Sequence, residues 1–207
     1  MKTKVLIKNT ALGLFNTRGV MNITLRDVAA ELQKSYGNIT YHYASKEVLL
    51  QELYSDLQTA LQQLGQNFGV SNNLLRDFIL APRATYEISL QYRFFYSDYL
   101  ELQRHYPSLM QEVQKQQQQS MQFYREKLLQ LQKMGLLRPD LPQGSIEHLM
   151  LLSGLVRTFF FIQSPATGTD AQAEADRYFA QLNLLLWPYL TTAGLEVLQK
   201  HSNLQAQ

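Results

Sequence analysis

The fold of this chain is decided by residues 24–50, TLRDVAAELQKSYGNITYHYASKEVLL. Thr24 and the aspartate three residues later match a capping box, so a helix is predicted to start here, and its apolar residues recur at helical spacing. A second short helix is predicted over residues 36–43, after which Ser45 can cap a long helix that begins at Lys46. The stretch therefore predicts two short helices joined by a tight turn and followed by a long helix.

Two such helices, preceded by one that can brace them, are the parts of a helix-turn-helix. The bracing helix is predicted from Val5 to Phe15, before a stop signal at Gly19. A helix can enter the major groove of DNA only if its outer side is exposed and its inner side is held by apolar contacts. The predicted contacts join two inner residues to four on the preceding helix: Ile39 and Tyr43 to Leu25, Val28, Ala29 and Leu32.

The rest of the chain is predicted to be helical too, so the expected fold class is all-α. Glycine and proline are sparse, at 10 and 6 of 207 residues, and no alternating strand pattern with a hairpin turn is present. We expect a three-helix helix-turn-helix DNA-binding domain over residues 1–46, joined by the long helix to a larger helical domain over residues 47–207. Further helices are predicted over residues 74–103 with a break at Pro82, 107–134, 146–163 and 171–190.

Composition excludes several classes of protein. The chain has no cysteine, which rules out disulfide scaffolds, thiolate metal sites and cysteine nucleophiles. Its four histidines show no ligand spacing, and no phosphate loop or dinucleotide fingerprint occurs, so we expect no metal, no cofactor and no enzymatic activity. The first residues lack the apolar core of an export signal, and the longest apolar run, residues 149–162, is interrupted by Arg157. This run is shorter than the roughly 20 residues of a bilayer span, so a cytoplasmic protein with no membrane partner is expected.

Charge is distributed unevenly along the chain. Residues 1–46 contain seven lysines and arginines against two acidic residues, a net charge of +5, whereas the other 161 residues contain twelve against fifteen, a net charge of −3. A basic N-terminal segment favours contact with a polyanion such as DNA, although a solvated basic face produces the same pattern.

The sequence resembles the DNA-binding domain of the TetR family of bacterial transcriptional regulators over residues 4–53. The motifs that carry this resemblance are Ala11-Leu12-x-Leu14-Phe15, Gly19, residues 24–29 and residues 36–50. The resemblance implies a homodimer whose paired recognition helices read a palindromic operator in double-stranded DNA. It also implies a ligand-responsive repressor, with a small molecule bound by the larger domain.

The resemblance also assigns DNA contacts. The positions that match the base-reading face are Arg26, Tyr36, Gly37, Asn38 and Thr40. The positions that match phosphate contacts or their support are Thr24, Ser35, Tyr41, His42 and Lys46. An arginine favours guanine and an asparagine favours adenine, whereas phosphate contacts position the protein without reading the sequence.

The turn departs from the family pattern at two positions. Gln33 stands where a glycine is usual, and Lys34 stands where an apolar residue is usual. If Gln33 adopts a left-handed conformation, the cost relative to glycine is about 1 kcal/mol. Lys34 can reach over the edge of the domain and add a phosphate contact.

Two groups of residues outside this domain invite functional interpretations. The first group is an aromatic helical face together with an arginine of a later apolar helix: Tyr92, Phe95, Tyr96, Tyr99 and Arg157. The aromatic face either lines a pocket for an apolar or aromatic effector or belongs to the core, and Arg157 could face a ligand carboxylate in such a pocket. Arg157 alternatively pairs with an acid such as Asp98 or Glu101. The second group lies on the two apolar C-terminal helices, which either form a buried pair or meet their copies in a dimer: Phe159, Phe160, Leu184 and Trp187.

Three functions therefore remain open. The first is a ligand-responsive transcriptional repressor that binds its operator as a homodimer. The second is a helical protein that binds small molecules or serves as a scaffold without binding an operator. The third is a helical-bundle enzyme, which only scattered His, Asp and Tyr residues support.

Overall fold

A computed structural model describes residues 2–66, 68, 73–163 and 170–202. In this part of the chain the only extended pairing is an isolated bridge between Leu137 and Leu190, so the predicted all-α class is confirmed. The helices are α1 (Lys2–Arg18), α2 (Leu25–Glu31), α3 (Tyr36–His42), α4 (Lys46–Gly65), α5 (Leu74–Gln91), α6 (Phe94–Ser97), α7 (Tyr99–His105), α8 (Pro107–Lys133), α9 (Ser145–Gln163), α10 (Ala171–Leu186) and α11 (Thr192–His201).

The chain folds into two compact units. The first unit comprises Met1–Leu61 and Ile88–Gln114, and the second comprises Gln62–Glu87 and Lys115–Gln207. This division differs from the predicted boundary at residues 46 and 47. The reason is that apolar residues of the later segment, among them Phe94, share one core with the helix-turn-helix.

Local sequence signals set the start of each helix in the helix-turn-helix. Thr24 and Asp27 form the predicted capping box, in which the threonine hydroxyl accepts from the Asp27 amide and the Asp27 carboxylate accepts from the Thr24 amide. Ser35 caps α3 by accepting from the backbone amide of Asn38 at 3.2 Å. Behind α3, Ile39 is fully buried, so the helix is held from its inner side.

The turn between α2 and α3 requires a left-handed residue. Gln33 has φ 52°, and it is the only residue other than glycine with positive φ in the described part of the chain. Gln33 therefore adopts the left-handed conformation considered from the sequence. The Lys34 amide closes the turn by donating to the Ala29 carbonyl at 2.9 Å, as in a helix end that usually carries glycine.

We expect Gln33→Gly to raise the free energy of unfolding by about 0.5–1 kcal/mol, because it removes left-handed strain at a smaller entropic cost. Gln33→Ala is the matched control, since it removes the side chain and keeps the strain, and it should leave stability nearly unchanged. Chemical unfolding followed by circular dichroism checks both variants. A Gln33→Gly protein no more stable than Gln33→Ala contradicts the account.

A charged cluster braces α1 against α4 in the first unit. The Lys8 ammonium donates to Asp56 and lies 3.4 Å from Glu52. The buried Tyr43 also donates its hydroxyl to Glu52, at 3.2 Å. Burial acts to raise the pKa of Glu52, but the hydrogen bond and charge of Lys8 outweigh it and hold that pKa below its usual value. The helix that follows the recognition helix is thus fixed to the first helix of the same unit.

The second unit is built around the contact of α9 with α10. α5 runs through Pro82 without ending, so the predicted break there is wrong; the proline nitrogen cannot donate a hydrogen bond, and the turns on either side continue the helix. Among the described helices, α9 alone has the length and apolar composition of a membrane span, a test that the core helix of a soluble protein also passes.

Candidate nucleic-acid interface

The outer side of α3 consists of polar tips that face solvent. Tyr36, Gly37 and Asn38 are exposed, Tyr41 is 85% exposed, and Thr40 is half-buried. The buried Ile39 lies on the opposite side of the same helix. Ile39 is the one buried residue among the seven of α3, so the side of the helix opposite Ile39 is open to a ligand.

Arg26 of α2 adds a cation to this surface. Its guanidinium carbon lies 5.2 Å from the centre of the Tyr36 ring, and both side chains are exposed. Stacking of this kind is weak at an exposed site, but it restrains the rotamer of a long side chain. The arginine is therefore held next to the residues that the sequence predicted for base reading.

Gly37 is not required by the packing of the protein itself. A methyl group added at its Cα meets nothing within 4 Å, and its φ is not positive. Glycine lowers helix stability by about 1 kcal/mol relative to alanine. Its presence is explained if another molecule approaches the backbone closely at this point.

The residues predicted for phosphate contacts differ in whether their hydrogen-bond donors are already used within the protein. Thr24 donates both its amide and its hydroxyl to the Asp27 carboxylate, at 2.7 and 2.6 Å, so its donors are engaged within the cap. Ser35 accepts from the Asn38 amide, and a hydroxyl that accepts keeps its own hydrogen for another acceptor. Tyr41 and His42 contact each other edge to face, with ring centres 5.1 Å apart.

Lys46 has a role that the sequence did not indicate. Its ammonium donates to the carbonyls of Val20 and Ile23, at 2.7 and 2.8 Å, and lies 5.8 Å from the centre of the Tyr106 ring. Burial lowers the pKa of Lys46, and the charge of Asp27 offsets this only in part. The side chain therefore points inward and braces the linker between α1 and α2, an arrangement that suits support of a phosphate contact better than a contact by the ammonium itself.

Two of the aromatic residues predicted for a ligand pocket lie in the core of the first unit. Tyr92 and Phe95 are both buried, and the Phe95 ring packs on Tyr54 with centres 5.5 Å apart. The Tyr96 hydroxyl donates to Ser89 at 3.3 Å, and Tyr99 is partly buried against the same core. This packing is what we expect if the aromatic face belongs to the core and does not line a pocket.

The acidic partners suggested for Arg157 are engaged elsewhere. Asp98 accepts from the Val20 amide, and Glu101 lies 2.9 Å from Arg104 and 3.4 Å from His105. Arg157 itself is half-buried in α9, and the ion pairs of the described residues do not include it.

The second unit presents an apolar face on α9 and α10. Phe159 is 58% exposed and Leu184 is 51% exposed, and both line a groove of about 600 Å³ between the two helices. The sequence missed Leu155, which is 57% exposed in the same groove. Of the other predicted interface residues, Phe160 is buried and also lines this groove, and Trp187 packs against the core of this unit.

Comparison with known proteins agrees with this architecture. Residues 7–53 match the family described as bacterial regulatory proteins, tetR family, and residues 56–198 match the TetR family described as bacterial transcriptional repressor. No curated protein sequence matches the chain. The second family match alone covers more than half of the chain, and the two together span both units.

Solved structures share the fold. A TetR-family transcriptional regulator from Marinobacter aquaeolei VT8 has a TM-score of 0.82 at 24% identity, with 98% of each chain covered. The ketosteroid transcriptional regulator KstR2 of Mycobacterium tuberculosis has a TM-score of 0.71 at 17% identity, covering 91% of this chain and 95% of that one. A gamma-butyrolactone receptor has a TM-score of 0.72 at 12% identity, covering 98% and 97%.

The fold and the exposed recognition helix define a helix-turn-helix regulator of transcription. The chain belongs to the TetR family of bacterial transcriptional regulators, as the resemblance of residues 4–53 predicted. Members of this family bind DNA operators and small-molecule ligands and act as dimers.

Proposed function

We propose that this regulator represses transcription by binding a palindromic operator as a homodimer, and that a small-molecule effector controls this binding. The observation that carries the proposal is the side-chain arrangement of α3. Its polar residues face solvent, while Ile39 and Tyr43 are buried behind them. Such a helix is rigid enough to enter the major groove and offers hydrogen-bonding groups to base edges.

Within this proposal the base-reading group is unchanged from the sequence prediction: Arg26, Tyr36, Gly37, Asn38 and Thr40. Arg26 suits the two acceptors of guanine, and Asn38 suits adenine. For the phosphates we propose the Ser35 and Tyr41 hydroxyls and His42, with Thr24 in support through its cap on α2. The contribution of Lys46 shifts from its side chain to its backbone amide, at the start of the twenty-residue helix α4, where the helix dipole favours an anion.

For the dimer we propose the face that includes Leu155, Phe159 and Leu184. A large exposed apolar patch on a soluble protein marks an interaction surface. In a two-fold dimer the same patch serves both subunits, and the two recognition helices can then lie one DNA turn apart, about 34–36 Å.

The class of effector is proposed from the second unit itself. Four aromatic rings on α5, α9 and α10 lie with centres 5.0–6.3 Å apart: Tyr86, Phe160, Phe161 and Tyr178. These rings are buried against one another, so we propose that the effector binds beside them and is an apolar or aromatic molecule, which suits such surroundings. The similar structures include a ketosteroid regulator, a gamma-butyrolactone receptor and a protein in complex with choline, so they point to no common ligand. We further propose a cytoplasmic protein that acts without a cofactor and without catalysis.

Selection of bound sequences from random double-stranded DNA tests the proposal. The expected result is an inverted repeat whose half-sites are about 10 base pairs apart, centre to centre, or a multiple of that spacing. Enrichment of no sequence, with purified folded dimer at moderate salt, favours instead a helical protein that binds small molecules without an operator.

The inward position of Lys46 gives a separate test. We expect Lys46→Met to lower the free energy of unfolding by about 2 kcal/mol, because two buried carbonyls lose a charged donor. The slope of operator affinity against salt concentration should not change. The matched control is Lys34→Met at the exposed lysine of the turn, for which we expect unchanged stability and a shallower slope. If Lys46→Met makes the slope shallower, its ammonium contacts a phosphate after all.

A further inference from the structure

The linker between α1 and α2, residues 19–24, is fixed by polar contacts to both the amide and the carbonyl of one residue, Val20. The carbonyl of Val20 accepts from the Lys46 ammonium at 2.7 Å. The amide of Val20 donates to a carboxylate oxygen of Asp98 at 2.6 Å. Since α2 begins directly after this linker, its path sets the position of Thr24 and of the reading residues that follow.

Asp98 reaches the linker from a segment 78 residues later in the sequence. It stands at the N-cap of α7, just before Tyr99, where an aspartate normally accepts hydrogen bonds from the amides of the helix that follows. Asp98 makes no such bond to α7. One of its oxygens accepts from the Val20 amide and the other from the Ser97 hydroxyl, so its geometry serves the linker and not the local helix start.

A glycine, Gly19, stands where the linker approaches Asp98. Gly19 has φ +80°, and a Cβ placed on it would lie 3.3 Å from the Asp98 carboxylate oxygen. A larger residue at this position is strained by its backbone conformation and is also pressed against the carboxylate.

Asn16 provides a second attachment in the last turn of α1. Its amide nitrogen donates to the Gln91 carbonyl at 2.8 Å, and its amide oxygen accepts from the backbone N–H of Phe94 at 3.1 Å. Three hydrogen bonds therefore tie α1 and the linker to the segment from Gln91 to Asp98.

We infer that Asp98 is a positioning residue for operator binding, acting through the Val20 amide on the start of α2. This inference rests on the proposed function. A carboxylate contributes negative charge to a unit that must approach DNA, so on charge alone its removal should strengthen binding. If Asp98 positions the linker, its removal should instead weaken binding, because loss of the Val20 contact lets the linker move and misplaces the reading residues.

The opposite signs make the test decisive. Operator affinity is measured for Asp98→Ala and for Glu101→Ala, which removes the same charge from α7 without a contact to the linker. We expect Glu101→Ala to bind as the wild type does or slightly more tightly, and Asp98→Ala to bind at least about fivefold more weakly, because a charge-assisted hydrogen bond is lost. Asp98→Asn, whose amide oxygen still accepts, should lie between Asp98→Ala and the wild type.

Amide hydrogen exchange separates positioning from a general loss of stability. In folded Asp98→Ala we expect the Val20 amide to exchange at least about tenfold faster, while core amides such as that of Leu53 keep their protection. If Asp98→Ala does not fold, the comparison is made with Asp98→Asn. Binding by the Asp98 variants as tight as that of Glu101→Ala overturns the inference. Failure of the wild type to select any DNA sequence overturns the proposed function, and the inference with it.

Discussion

Phe159→Glu is expected to convert the protein to a monomer and to lower operator affinity by at least about 100-fold. A charge in the middle of an apolar two-fold interface is repeated on the other subunit, so two carboxylates face each other without water. A monomer then binds one half-site at a time and loses the gain from linked binding, which is about 10²–10⁴-fold. Analytical ultracentrifugation and an operator titration measure the two effects.

The matched control is Met121→Glu, which introduces the same charge at an apolar residue of α8 that is exposed to a similar degree. We expect this variant to remain a dimer and to bind DNA normally. A dimeric Phe159→Glu protein would place the interface elsewhere. Because α9 has the composition of a membrane span, wild-type association with lipid vesicles, lost in Phe159→Glu, would also count against the dimer assignment.

Asn38→Ala is expected to lower affinity for the selected operator by at least about 30-fold and to remove the preference at one symmetric pair of positions. A bidentate contact to adenine discriminates by about 1–3 kcal/mol, and a homodimer loses it in both half-sites. The cap of α3 survives, because Ser35 accepts from the backbone amide of this residue. Stability should therefore change little.

Repeating the selection from random DNA with Asn38→Ala measures the lost preference. The control is Asn9→Ala, the same change at an exposed asparagine of α1. An Asn38→Ala protein that selects the wild-type operator with undiminished preference would show that Asn38 does not read a base, even if overall affinity falls.

The helix-turn-helix could be predicted from sequence because its signals are local. The capping box at Thr24, the cap at Ser45 and the left-handed conformation considered for Gln33 each depend on neighbours within a few residues, and all three are present in the structure. The exposed face of α3 follows from the same periodicity, since fixing Ile39 inward turns Asn38 and Tyr41 outward.

Features that depend on distant segments could not be predicted in this way. The inward position of Lys46 depends on two carbonyls of the linker, and their direction is set by tertiary packing. Periodicity likewise identifies an apolar face but does not indicate which element packs against it. For this reason the sequence did not indicate that residues 88–114 share one core with the helix-turn-helix. In the run Phe159 to Phe161 three consecutive rings point in different directions, and composition does not indicate that Phe159 alone is exposed.

The open surroundings of Gly37 have a consequence for attempts to improve this protein. Alanine fits there without a clash and favours the helix, so a screen that rewards heat resistance alone will enrich it. The enriched variants would be more stable and would carry a methyl group on the surface of α3 that is proposed to contact DNA. If Gly37 lies against the operator as proposed, stability and gene control conflict at this residue, and only a screen that also scores promoter occupancy will retain the glycine.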